Sequence, residues 1–157
     1  FATIVAASVV GEFQDIIAQL SILAVLMPIV ASMGGTTGQQ TLAVVVRSLA
    51  TKELNSRNAL RMIGKEFMVG LCNGLLFAVM IGIAVRIWFP GQEMISYIIA
   101  LAMLCNLTVA SLAGILIPLT INRLKIDPAI ASGVFLIACT DSGGYFIFLG
   151  LAKLLLF

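Results

Sequence analysis

The sequence predicts an all-α membrane protein, a subunit of five transmembrane helices of which the first is truncated. Three observations carry that expectation. Of 157 residues, 61% are hydrophobic and 10% charged, with a mean hydropathy of +1.16, whereas a soluble domain is about a quarter charged. Four stretches (16–46, 67–85, 94–122 and 128–152) approach or exceed the roughly 20 apolar residues that cross a bilayer core, the last broken only by Asp141. These runs are continuous, while the strands of a membrane barrel would read as short alternating segments.

Each element has its own signal. Residues 1–11 are apolar but too short to span, begin with Phe, and lack the basic start of a signal peptide. They read as the end of helix 1, closed by Gly11, in a chain that is a fragment of something longer. Residues 12–21 carry enough polar groups for a short interfacial segment. Helix 2 is expected over 22–50. Helix 3 is expected over 59–89, with Asn55 and Ser56 as caps before it. Pro90-Gly91 makes a tight connection to helix 4 at 94–124. Asp127-Pro128 then opens helix 5, 128–157, with the aspartate as cap and proline at the first helical position, where its missing N–H costs nothing.

Arg47, Lys52, Arg57, Arg61 and Lys65 lie between helices 2 and 3, and Arg123 and Lys125 between helices 4 and 5. Seven of the nine basic residues thus fall on one side, the cytoplasmic one by the positive-inside rule. Glu12, Asp15 and Glu93 fall opposite, with Arg86. The expected placement is a multi-pass protein of the plasma (inner) membrane, N-terminus cytoplasmic and C-terminus outside. An odd helix number argues against two complete inverted repeats.

Composition narrows the function. There is no histidine, hence neither the commonest zinc ligand nor the usual general base. Cys72, Cys105 and Cys139 lie scattered in apolar runs, without a metal spacing or a disulfide framework. The Ser-Arg-Asn stretch at 56–58 reads as a cap, and no nucleophile–base pair, phosphate loop or redox motif appears. An enzyme is not expected, nor, without a basic face, a nucleic-acid binder.

Asp141 is the sharpest feature. It sits fourteen residues into helix 5, where a charge costs at least about 2.5–3.5 kcal/mol to insert, with no basic residue within a helical turn or two. A structural aspartate bonded to Thr140 or Ser142 is the bland alternative. The small neighbours Gly133, Ser142, Gly143 and Gly144 favour an ion or proton site. In helix 2, proline and three glycines in PIVASMGGTTGQQ (28–40) are expected to loosen the helix and free carbonyls at membrane depth. Close packing of Gly34 and Gly38 is the alternative, but Thr36, Thr37, Gln39 and Gln40 add oxygens that packing does not require. Gly70 with Gly74, and Ala110 with Gly114, read as packing pairs, and Asn73 and Asn106 as interhelical hydrogen bonds. Glu66 either pairs with Lys65 or Arg61 or lines an inner mouth.

A carboxylate among carbonyls is a hard, all-oxygen environment, suited to Mg²⁺ or Ca²⁺. One carboxylate per chain is meagre for a divalent ion. A homodimer with its pore on the two-fold axis brings two copies of Asp141 to one ion. Mg²⁺ dehydrates reluctantly, so the expected cargo is a largely hydrated ion.

The run PIVASMGGTTGQQTLAVVVRSLA (28–50) resembles the second-helix signature of the MgtE family of magnesium channels and transporters, P-x(5)-GGNxGxQ with an R-x-LA ending. Lys65-Glu66 followed by GLCNG (70–74) is similar to that family's third-helix entry, and Asp127-Pro-Ala-x-x-Ser-Gly133 with Asp141 to its last helix. The resemblance covers essentially the whole chain. It implies a homodimer of five-helix subunits with a pore lined by the second and fifth helices, and Asp141 as the central Mg²⁺ site. Oxygens around Ser32, Gly34, Gly35, Thr36, Gly133 and Ile137 are expected along the path. Thr36 stands where the family usually has asparagine. The family's cytosolic N-terminal domain and paired CBS modules are absent from this sequence and would precede Phe1, so a cytosolic regulatory domain is expected in the full-length protein. The competing expectations are a proton- or sodium-coupled carrier and a non-transporting membrane subunit with a structural aspartate.

Overall fold

The computed structural model describes residues 2–54 and 58–156, which form helices and turns without a strand. Six helices follow one another: α1 (Ala2–Glu12), α2 (Gln14–Gln19), α3 (Ile22–Ala50), α4 (Ala59–Trp88), α5 (Glu93–Arg123) and α6 (Pro128–Leu156). α3 to α6 are long and apolar enough to cross a membrane, and α1 is a shorter apolar helix.

The helix ends follow from local chemistry. Gly91 takes φ +88°, a left-handed value that costs glycine nothing, and this closes the α4–α5 turn. The exposed Arg86 guanidinium donates to Glu93 across it at 2.7 Å. At α6, Pro128 is the first helical residue, and the Asp127 carboxylate accepts the Ala129 N–H at 2.9 Å. Gly11 does not end α1, which runs on to Glu12. Nothing approaches Gly11, so no contact forces a turn there. The chain turns instead at Phe13, whose buried ring meets Phe146 of α6 edge-on at 6.1 Å between centroids. Asn55 and Ser56, expected as caps, lie outside the described residues.

α5 is the hub, packed against α3, α4 and α6. Leu23, Leu26 and Val30 of α3, Ile98, Met103 and Leu107 of α5, and Phe148 and Leu149 of α6 are fully buried around it. α1 lies along α6, and α4 packs chiefly on α5, leaving Leu75, Leu76, Val79 and Ile83 exposed. That face suits lipid tails.

Small residues allow the approach. A Cβ at Gly74 would come within 2.9 Å of the Leu104 carbonyl, and one at Gly114 within 2.7 Å of the Gly38 carbonyl. Backbones this close are how helices associate in a medium as apolar as their own side chains. Polar bonds add to the packing. Asn106 Nδ2 donates to the Val30 carbonyl at 2.7 Å. Asn73 makes no side-chain hydrogen bond among the described residues.

Glu66 is buried, and its Oε2 accepts the Thr41 Oγ1 hydroxyl at 3.0 Å between α4 and α3. Among the described residues it pairs with neither Lys65 nor Arg61. Its side chain points along the α4 face that packs inward, whereas Lys65, about 100° around the helix, is exposed.

Candidate cation site

α3 is helical throughout, from Ile22 to Ala50, with Pro28 inside it. The expected loosening between Pro28 and Gln40 is not found. Glycine in a helix costs about 1 kcal/mol relative to alanine, and the packing of Gly34 and Gly38 against α5 and α6 offsets it. The Val30 carbonyl is engaged by Asn106 from inside the subunit. Backbone carbonyls along this stretch are thus in helical geometry.

A groove of about 450 Å³ runs between α3 and α6. Its α3 wall is built from Pro28, Ala31, Ser32, Gly35, Thr36 and Gln39, and its α6 wall from Ile137, Asp141 and Tyr145. Both sets follow the spacing of one helical face. Pro28, Ser32, Thr36, Gln39 and Ile137 are exposed in the single chain, and Asp141 is half-buried. Asp141 and Tyr145 also border a second recess, with Ala6, Ala7 and Val10 of α1 and Met27 of α3.

Five of the sequence-derived candidates therefore meet: Ser32, Gly35, Thr36, Ile137 and Asp141. Gly34 does not. It is buried, and a Cβ there would lie 2.5 Å from Asn106 Nδ2, so it serves the α3–α5 contact. Its one-residue offset from Gly35 turns it about 100° away from the groove. Gly133 shares the helical face of Ile137 one turn earlier but does not line the groove, and Glu66 lies at the α3–α4 crossing. Tyr145, Pro28 and Ala31 were missed. The signal for Tyr145 was its i+4 spacing from Asp141 on the same helix.

The bland reading of Asp141 finds no partners. Thr140 Oγ1 donates to the carbonyls of Leu136 at 3.0 Å and Ile137 at 3.3 Å. Ser142 Oγ is buried and has no partner among the described residues. Among the described residues no hydrogen bond or ion pair engages the Asp141 carboxylate. Across the groove, Thr36 Oγ1 donates to the Ser32 carbonyl, which occupies its proton and leaves its lone pairs available. The walls thus include acceptors: the carboxylate and the hydroxyl oxygen of Thr36, with the Ser32 and Tyr145 hydroxyls and the Gln39 amide able to accept or donate.

Acceptors suit a guest whose surface is made of donors, such as the water shell of a cation. No group of three or more Asp, Glu, Cys or His side chains converges among the described residues, so a bare ion would find one carboxylate per chain. An octahedral shell of six waters at about 30 Å³ each fills about 180 Å³, well within the groove.

Comparison with known proteins adds an independent line. The family model for MgtE, described as a divalent cation transporter, matches residues 27–151. The magnesium transporter MgtE of Bacillus subtilis (strain 168) is 34% identical over 152 residues, covering 97% of this chain and 34% of that protein. Its namesake from Enterococcus faecalis is 36% identical over 148 residues, covering 94% and 32%. The Thermus thermophilus protein of the same name is 29% identical over 153 residues, covering 97% and 33%. The chain spans about a third of the length of these curated relatives.

Proposed function

The chain belongs to the MgtE family of divalent cation transporters and is a multi-pass membrane protein, and from that premise we propose that it forms the pore of a Mg²⁺ transporter. Two copies face each other across a two-fold axis, with the α3 and α6 faces lining a channel-like path between them. Asp141 from each copy receives a largely hydrated Mg²⁺, its oxygens accepting hydrogen bonds from the ion's waters. Two carboxylates balance the charge of one divalent ion.

The observation that carries this reading is the α3–α6 groove, in which a carboxylate without a partner among the described residues stands beside exposed oxygen acceptors. A wall exposed at membrane depth requires either water or a second copy over it, and the dimer axis supplies both. Ser32, Gly35, Thr36 and Ile137 border the path beside Asp141. The N-terminus lies in the cytoplasm and the C-terminus outside the plasma membrane, in keeping with the basic residues at the α3–α4 and α5–α6 turns. A cytosolic regulatory part in the full-length protein completes this reading.

The test is Asp141→Asn, reconstituted in liposomes with a trapped Mg²⁺ indicator. Losing a charge-assisted contact worth about 1.5–3 kcal/mol lowers Mg²⁺ flux about tenfold or more, with the variant still folded and dimeric. Unchanged uptake would end the proposal. Flux that follows an imposed pH gradient would instead favour a proton-coupled carrier, and loss of assembly in Asp141→Asn would favour a structural aspartate.

A further inference from the structure

α3 and α6 touch each other at one level of the bundle and both meet the same residue of α5 at another. At Gly38, a Cβ would lie 3.1 Å from Leu136 Cδ1 and 3.3 Å from Thr140 Cγ2 of α6, so the two helices meet directly there. One turn away, towards the N-terminus of α3 and the C-terminus of α6, both helices abut Asn106 of α5 instead. A Cβ at Gly34 would lie 2.5 Å from Asn106 Nδ2, and one at Gly144 3.1 Å from the same atom. Asn106 is fully buried. Its Nδ2 donates to the Val30 carbonyl at 2.7 Å, while its Oδ1 has no partner among the described residues.

An amide oxygen left unpaired inside a protein is costly. Beyond its hydrogen bond the side chain supplies bulk: branched at Cγ, as leucine is, it stands between the Gly34 and Gly144 backbones. The level it occupies matters, since Asp141 lies between Thr140, where α3 and α6 are in contact, and Gly144, where α6 meets the amide.

We propose that Asn106 is a positioning residue for cation passage: a wedge from α5 that sets the separation of α3 and α6 beside Asp141, and with it the discrimination among divalent cations. It touches no ion and acts through the two helices it parts. Hard-oxygen sites choose between Mg²⁺ and Ca²⁺ by cavity size and rigidity, because Mg²⁺ sheds water reluctantly and Ca²⁺ tolerates varied coordination. A groove kept wide passes the hydrated Mg²⁺. A groove that closes favours the ion that dehydrates more readily. The inference rests on the transport reading above.

The experiment is the ratio of Ca²⁺ to Mg²⁺ flux into liposomes, read with trapped indicators, for the whole chain and its variants. Asn106→Ala removes the wedge and raises the ratio by about fivefold. Asn106→Leu, branched at the same atom but without a donor, keeps the ratio near that of the parent even where it unfolds at a lower temperature. Gly144→Ala pushes the amide and α6 apart and lowers the ratio, while Gly150→Ala, in open space, leaves it unchanged. If Asn106→Ala does not fold, Gly144→Ala against Gly150→Ala decides. A ratio unmoved in Asn106→Ala and Gly144→Ala, with flux scaling only with the amount of folded protein, overturns the wedge, as does Asn106→Leu behaving like Asn106→Ala. Asp141→Asn keeps the two ideas separable. Flux surviving in it refutes the transport site, while the ratio shift at Asn106 is judged on its own.

Discussion

Glu66 and Thr41 stand 25 residues apart in sequence and 3.0 Å apart in space, and the pair shows what an intramembrane acid does when it faces inward. Thr41→Val keeps the shape that packs against Gly114 but withdraws the hydroxyl from a buried carboxylate oxygen. The expected cost is about 1–3 kcal/mol, read as a lower midpoint in thermal unfolding in detergent. Glu66→Gln preserves an acceptor for Thr41 and costs less. Asp141 differs because its carboxylate has no such partner and borders a groove. Sequence alone marked Asp141 as exceptional and left Glu66 between a basic partner and an inner mouth, without finding its bond to Thr41. Rarity at membrane depth is legible from a run of apolar residues, but the direction a side chain points depends on which neighbour the helix packs against.

At the scale of the helix, the same limit recurs as a question of rotation. Run length located the long spans, and Gly91 and Asp127-Pro128 punctuate them as their chemistry requires. Rotation about the axis was only partly legible: Ser32, Thr36 and Gln39 form a polar face on α3, but elsewhere lipid tails and a protein core are equally apolar and leave no stripe to orient it. Gly34 and Gly35 show the consequence, one residue apart and on different faces. α3 also held its helical form where glycine and proline argued otherwise, since packing outweighs propensity. Cysteine scanning checks the assigned faces in a background without Cys72, Cys105 and Cys139. Cysteines at Ser32, Thr36 and Ile137 are expected to react with a water-soluble thiol reagent and to be slowed by Mg²⁺. Cysteines at the fully buried Val30 and Leu136 are expected to stay unlabelled.

For the molecule as a whole, one subunit offers an incomplete enclosure. The groove is bounded by α3 and α6, and the exposed positions along it lack a covering element in the single chain. Light scattering with correction for detergent is therefore expected to give a protein mass near twice the 16.6 kDa of the chain; a monomer that still conducts Mg²⁺ would contradict the two-fold arrangement. The packed half of the molecule is organised around α5, which leaves α4 on the rim with its leucines outward. Along that rim helix Lys65 and Arg86 are twenty-one residues apart, about 32 Å of rise, close to the thickness of a bilayer's hydrocarbon slab. In a thinner membrane α4 has to lean to keep both ammonium and guanidinium in water, and its glycine contact at Leu104 transmits that tilt to α5. Acyl-chain length is thus expected to bear on the bundle, at the helix packed against both α3 and α6.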